Sequence, residues 1–289
     1  MISKQLDAPS SKENTRPMKL TARIPATAGL MALILFSATG CKRLRANYEI
    51  NKGVADFKNA KLESATNHFQ NAVSIDPSNP NPRLYLATTY ASQVVPNLDT
   101  PENKHLAQQA LDGFHQILKE DPNNLNALKQ IASLERNIGH QDLSKQYELE
   151  VIKRDPSDAE AVESIGGADF YQSYNNTVNA LKAEGLTDKG DGNLKFSKAG
   201  CAKLRAINEP IVTEGIQYLK KATEINPNYE EAYTYLSLMS RRKADIECGN
   251  LPAVKQDLAD ADMYAQKSMG ARKEIERLKE EKSHGVSAQ

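Results

Sequence analysis

The sequence predicts an all-α fold, a solenoid of stacked helix–turn–helix repeats, from three observations. The composition is that of helices: Ala, Leu, Lys, Glu, Asn and Gln are plentiful, Trp is absent and aromatic residues make up only 6%. That leaves too few β-branched and aromatic side chains for an all-β core. Second, one frame recurs, in which a residue is followed at steps of four, three and five by two more and a proline. It reads Ala65-Phe69-Ala72-Pro77, Ala110-Phe114-Ile117-Pro122, Ser144-Glu148-Val151-Pro156 and Gly215-Leu219-Ala222-Pro227. Third, the prolines keep a period. Pro122 to Pro156 is 34 residues, and Pro77 to Pro122 and Pro156 to Pro227 are the same period lengthened by 11 and by 37.

Each element follows from that frame. Steps of four and three put three residues on one helix face. The proline then ends that helix and opens the next, because Pro fits a first helical turn and not an interior. Asp76, Asp121, Asp155 and Asn226 precede the prolines, and Asn and Pro build the turns that follow. The predicted pairs are 46–59/62–75, 80–92/104–120, 125–138/141–154, 159–173/209–225 and 230–245/253–271. Unit five has only an Ala261-Ala265-Ser268 frame without a closing proline. The charged run Arg272–Lys282 continues its helix as a polar cap, which terminal repeats need for solubility, and Ser283–Gln289 is expected to fray. The excess residues fall between the first (A) and second (B) helix of a unit, at Gln93–Asn103, at about 174–208 and in unit five. Equivalent loops of a solenoid emerge on one edge, so these insertions should share it.

A 34-residue helix–turn–helix unit closed by proline resembles the tetratricopeptide (TPR) repeat over roughly residues 46–271. Matching A-helix positions are Gly53, Leu86-Ala87 with Tyr90, Ile131-Ala132 and Ile165-Gly166. The bulky Trp of the family's first helix is missing, with Arg83, Leu128, Val162 and Tyr233 near its place, and Glu148 stands where an aromatic is usual. The resemblance implies a right-handed superhelix whose A helices line a concave, ligand-binding groove. It places Asn126, Lys129, Ser133, Arg136 and Asn137 of unit three on that face, with Glu163, Gly167, Phe170 and Tyr171 of unit four and Thr234, Leu238, Arg241 and Arg242 of unit five. The carboxylate clamp of the chaperone-binding subfamily is lacking, since its places hold Ile50 and Val54. Lys129, Arg136, Arg241 and Arg242 suggest an acidic or C-terminal carboxylate ligand, because guanidinium groups grip carboxylates bidentately. Phe170 and Tyr171 would supply apolar anchoring.

The N-terminus reads as an address. No charge occurs between Arg23 and Lys42, and the apolar stretch Ala26–Phe36 is too short to span a bilayer. Basic residues before it and Ser37-Ala38-Thr39-Gly40 after it follow the order of a signal peptide over 1–40, with Met18 as a possible true start. Ala38-Thr39-Gly40-Cys41 resembles the lipobox of bacterial lipoproteins, although Ala38 stands where the family usually has Leu. The resemblance implies acylation of Cys41, a lipidated tether at 41–45 and a body facing the periplasm. Lys42 instead of Asp after the cysteine implies the outer membrane. The alternative is an ordinary secreted chain with a chance cysteine. Without residues 1–41 the chain keeps 32 cations and 35 anions. The balance of the whole chain, 37 of each, lacks the basic excess of a nucleic-acid binder.

Chemistry is sparse. The five histidines never pair at helical spacing, so no zinc site is expected. Asp188, Asp191 and Asn193 fail the EF-hand pattern because Gly190 and Gly192 fall where ligands are needed. No nucleophile elbow, P-loop or dinucleotide fingerprint occurs, and no cofactor is expected. Cys201 and Cys248, in or beside the insertions of neighbouring units, suit a disulfide in an oxidising compartment; two separate buried thiols are the alternative. The reading is a non-catalytic, membrane-tethered adaptor that binds a peptide or protein. Its rival is an envelope enzyme or carbohydrate-binding module built on the unit-four insertion.

Overall fold

A computed structural model describes residues 26–187 and 196–286, with the backbone alone described for 26–41 and 283–286. Among the described residues there are ten helices and no strand. They are α1 (Ala26–Lys58), α2 (Leu62–Ile75), α3 (Pro80–Ala91), α4 (Pro101–Glu120), α5 (Leu125–Asn137), α6 (Gln141–Arg154), α7 (Ala159–Ala183), α8 (Lys198–Ile225), α9 (Glu230–Asp245) and α10 (Leu251–Val286). Odd-numbered helices are the A helices and even-numbered ones the B helices of five stacked hairpins.

The recurring frame works as its spacing implies. Phe69, Ala72, Phe114, Ile117, Val151, Leu219 and Ala222 are all buried. The acid or amide before each proline builds the turn: Asp121, Asp155 and Asn226 each accept, through Oδ1, a backbone N–H two residues on, at 3.0–3.1 Å. The next helix is then capped at its own start. Asn124 accepts from the Ala127 N–H at 3.0 Å and Asp158 from that of Ala161 at 2.9 Å, each satisfying an otherwise orphaned donor. Gly166 lets α7 meet α8, for a Cβ there would lie 2.5 Å from Leu219 Cγ. Gly53 does the same for Phe69 at 2.6 Å.

Residues 42–45 of the expected tether are helical within α1, and Ala46 is already fully buried. The unit-four insertion is largely helical, since α7 continues to Ala183 and α8 begins at Lys198. The two extensions form a helical hairpin. It buries Leu181 and Leu204 together with a polar cluster: Asn208 Nδ2 donates to the Ser173 carbonyl at 3.0 Å and to Thr177 Oγ1 at 3.1 Å, and Asn176 Nδ2 donates to Asn208 Oδ1 at 2.9 Å. Near the tip, the Ser197 N–H and hydroxyl both donate to Glu184, at 2.8 and 2.7 Å. Finally, α10 does not fray at Ser283 but runs to Val286. Residues 1–25 of the expected leader, Asp188, Asp191 and Asn193, and residues 287–289 lie outside the described residues.

Candidate partner-binding groove

The A helices form the inner row of the stack. Each B helix packs on its own A helix and on the next, while α1 also touches α3, α3 touches α5 and α7 touches α9. Successive B helices make no comparable contact, which is the geometry of a stack curving toward its A side. Between α5 and α7 the link is ionic: Lys129 Nζ lies 3.1 Å from Asp158 and also pairs with Glu160.

At the N-terminal end of this inner face lies a cleft of about 520 Å³. Its walls are Val54, Phe57 and Lys58 of α1, Phe69, Leu84, Tyr85 and Thr88, with Asn126 and Gln130 of α5 closing one side. Tyr85 is 40% exposed and stacks on Phe69 with ring centroids 5.3 Å apart. The floor continues onto Gln130, Ser133 and Asn137, which line a shallow polar cleft beside Ala91 and Ser92. Their amides and hydroxyl can pair with a peptide backbone.

At the C-terminal end, α7 and α9 carry an aromatic shelf. The Phe170 ring lies 5.3 Å from Tyr171, 6.1 Å from Tyr174 and 5.7 Å from Tyr235. Tyr235 donates its hydroxyl to that of Tyr171 at 3.4 Å. Burial, and then that bond, push the Tyr235 phenol well above its ordinary range. Tyr171 is 55% exposed, and such amphipathic rings are frequent anchors of protein contacts. Beside the shelf, burial pushes the Glu163 carboxyl up to about 7; Arg136 pulls it down and Glu231 pushes it further up.

The basic groove does not exist in the expected form. Arg242 is buried at 5% exposure. It pairs with Asp245 at 3.0 Å and lies 5.5 Å from the Tyr174 ring centroid, because the extension of α7 lays Tyr174 across it. Lys129 is held by Asp158 and Glu160, Arg136 faces Glu148 at 3.6 Å, and Arg241 meets Asp262 at 3.2 Å. Each cation predicted to grip a carboxylate ligand already has an internal acid. Phe170 and Tyr171 lie together with Tyr174 and Tyr235, two rings that the repeat spacing does not single out. Nor does the spacing single out the Phe57–Tyr85 cleft. Its signal was present, since Ile50, Val54 and Phe57 are apolar on the groove side of an A helix, where solvated residues are usual.

Away from the groove, Cys201 of α8 and Cys248, in the turn between α9 and α10, are disulfide-bonded with Cα atoms 5.6 Å apart. Among the described residues no three His, Cys, Asp or Glu side chains gather as a metal-binding group. No described helix is long and apolar enough to cross a membrane.

No protein-family model matches the chain, and a search of curated proteins returns no match. Solved structures share its architecture. MamA from residue 41 to its end, from Desulfovibrio magneticus RS-1, superposes with a TM-score of 0.50 at 16% identity over 80% of this chain and 96% of its own. Another MamA crystal structure gives 0.49 at 13% identity, over 78% and 96%. YrrB, described as a TPR protein with an unusual peptide-binding site, gives 0.44 at 15% identity, over 78% and 90%. The likeness is one of fold, a TPR solenoid.

Proposed function

We propose that this protein is a non-catalytic adaptor, anchored by acylated Cys41 at the membrane face of an exported compartment, whose inner face holds a segment of a partner protein. The observation that carries the binding reading is the Phe57–Leu84–Tyr85 cleft continuing into the amides of Gln130 and Asn137. Apolar walls beside convergent amides suit an extended peptide, with side chains in the cleft and backbone on the amides. The acidic or carboxylate-tailed ligand is not retained, because internal acids occupy the groove cations. Among the described residues of the unit-four hairpin, Ser173, Asn176, Thr177 and Asn208 hydrogen-bond to one another, so these groups lend the rival reading no support. The anchor is supported by the charge-free stretch between Arg23 and Lys42 and by the small residues before Cys41.

The test is crosslinking from the groove in the cells that make the protein. A photoreactive phenylalanine replacing Tyr85 or Tyr171 should trap the same partner. One replacing Gln108, exposed on the B helix α4, should trap none. The Phe57→Asp/Tyr85→Asp pair, if it melts like wild type, should weaken capture at least thirtyfold, as loss of an interface anchor worth about 2 kcal/mol does. Equal trapping from all three positions would remove the reading.

A further inference from the structure

We infer that the turns of α1 just after Cys41 are a second membrane contact, in which Lys42, Arg43 and Arg45, with Leu44 and Tyr48, dock on anionic phospholipid headgroups. The inference rests on the anchor at Cys41 proposed above and adds a surface to it.

The distance from anchor to body is the first argument. Ala46 is fully buried, so only residues 42–45 separate Cys41 from the packed solenoid. As helix, the five steps from Cys41 to Ala46 rise about 7.5 Å. Fully extended, they reach about 18 Å. The headgroup layer on one side of a bilayer is itself about 5–8 Å thick. With acyl chains on residue 41, the three cations cannot leave the neighbourhood of that layer.

On the side of the body, Lys42 and Arg43 border a surface cleft with Asp76 and the turn 77–81, and among the described residues no ion pair closes it. Residues 42–45 are all exposed, and none of these cations pairs with an acid among the described residues. The nearest acids along α1 are engaged elsewhere: Glu49 lies 2.7 Å from His68, and Asp56 accepts from the Ser64 hydroxyl at 2.6 Å and faces His68 at 3.6 Å. The helix buries Ala46 and Gly53 on one face and turns Leu44, 72% exposed, and Tyr48, 57% exposed, outward on another. Lys52 holds its ammonium 5.8 Å from the centre of the Tyr48 ring. Position 41 lies one and two turns before Leu44 and Tyr48 on the same stripe of helix. Tyrosine and basic side chains flanking an apolar residue suit the membrane–water boundary. The chain after residue 41, with these three included, carries 32 cations and 35 anions, so the cluster runs against the slightly acidic charge of the body.

The experiment uses the membrane form of the full chain, purified in detergent and reconstituted into pure lipid vesicles. A fluorophore on Tyr48→Cys, the single free thiol once Cys41 is acylated and Cys201 is bonded, reports contact with quencher-bearing lipids. Quenching should be strong in vesicles with about one-third phosphatidylglycerol. It should fall at least severalfold in phosphatidylcholine vesicles, or when Lys42, Arg43 and Arg45 are replaced by Gln or by Glu. About a fivefold effect per charge is the scale for basic residues at an anionic surface. A label at Gln108 should stay unquenched. Equal quenching at position 48 in both lipids, or none in either while the protein remains on the vesicles, would overturn the docking surface and leave the anchor standing. Failure to remain on vesicles, with no lipid mass on Cys41, would overturn the anchor and the docking surface with it.

Discussion

At the residue scale, the side chains that depart from the repeat pattern carry the ionisable chemistry. Glu148 stands at a position where an aromatic is usual, and it is 4% exposed. Burial pushes its carboxyl up to about 7, against the pull of Arg136. Glu163 is raised to about 7 and Asp169 to about 6, each chiefly by burial. A folded-state value above the ordinary one means that the folded chain keeps protons the unfolded chain releases. The stability these groups contribute is therefore present at acid pH and is lost as pH rises from about 4.5 through about 7. The denaturation midpoint should fall between pH 5 and pH 8. Glu148→Gln, which imitates the protonated acid, should flatten that fall. A variant whose midpoint falls as steeply as wild type would show that Glu148 is not responsible. Glu148 was legible in the sequence as a departure from the family pattern. Its counter-ion was not, because Arg136 reaches it only through the packing of α5 on α6.

At the element scale, caps and closing prolines define short helices well, and the insertions show where such signals end. Nothing between Ser173 and Asn208 punctuates α7 strongly before Gly185, so the helix continues while its neighbour α8 covers it. Even Pro210 lies inside α8. Beside the buried Leu181 and Leu204, two ties hold the extended hairpin: the Asn208 network and the Cys201–Cys248 bond, which joins residues 47 apart. A loop of that size allows up to about 4 kcal/mol of stabilisation by the chain-entropy account. Cys201→Ser with Cys248→Ser should therefore lower global stability by no more than that. It should also speed amide exchange in 176–183 and 198–207 more than in α3–α5. Unchanged exchange in the hairpin would mean that the buried leucines and the Asn208 network hold it without the bond. The pair of cysteines was readable from the placement of both insertions on one edge, but their approach depends on where the turn after α9 brings Cys248.

At the scale of the whole molecule, stability in a solenoid is close to a sum of neighbouring contacts. Phe69, 1% exposed, fills the space between α1, α2 and α3. Its replacement by Ala should cost about 3–5 kcal/mol locally. Hydrogen exchange should then accelerate across α1–α3 while the amides of α8–α10 keep their protection. Uniform acceleration along the chain would show a single cooperative unit instead. The repeat can be read from residue order alone: its period, the faces of its helices, the turns at Asp121, Asp155 and Asn226, and the glycines at the tight crossings. All of these are set by interactions within a few residues, and they recur often enough to be read. The chemistry of the inner face comes from helix packing. That packing paired Lys129, Arg136 and Arg241 with acids from other helices, buried Arg242 under Tyr174, and opened a cleft at Phe57 and Tyr85. Those outcomes turn on distances between side chains tens of residues apart, and such distances are fixed by how whole helices pack, which local spacing does not encode.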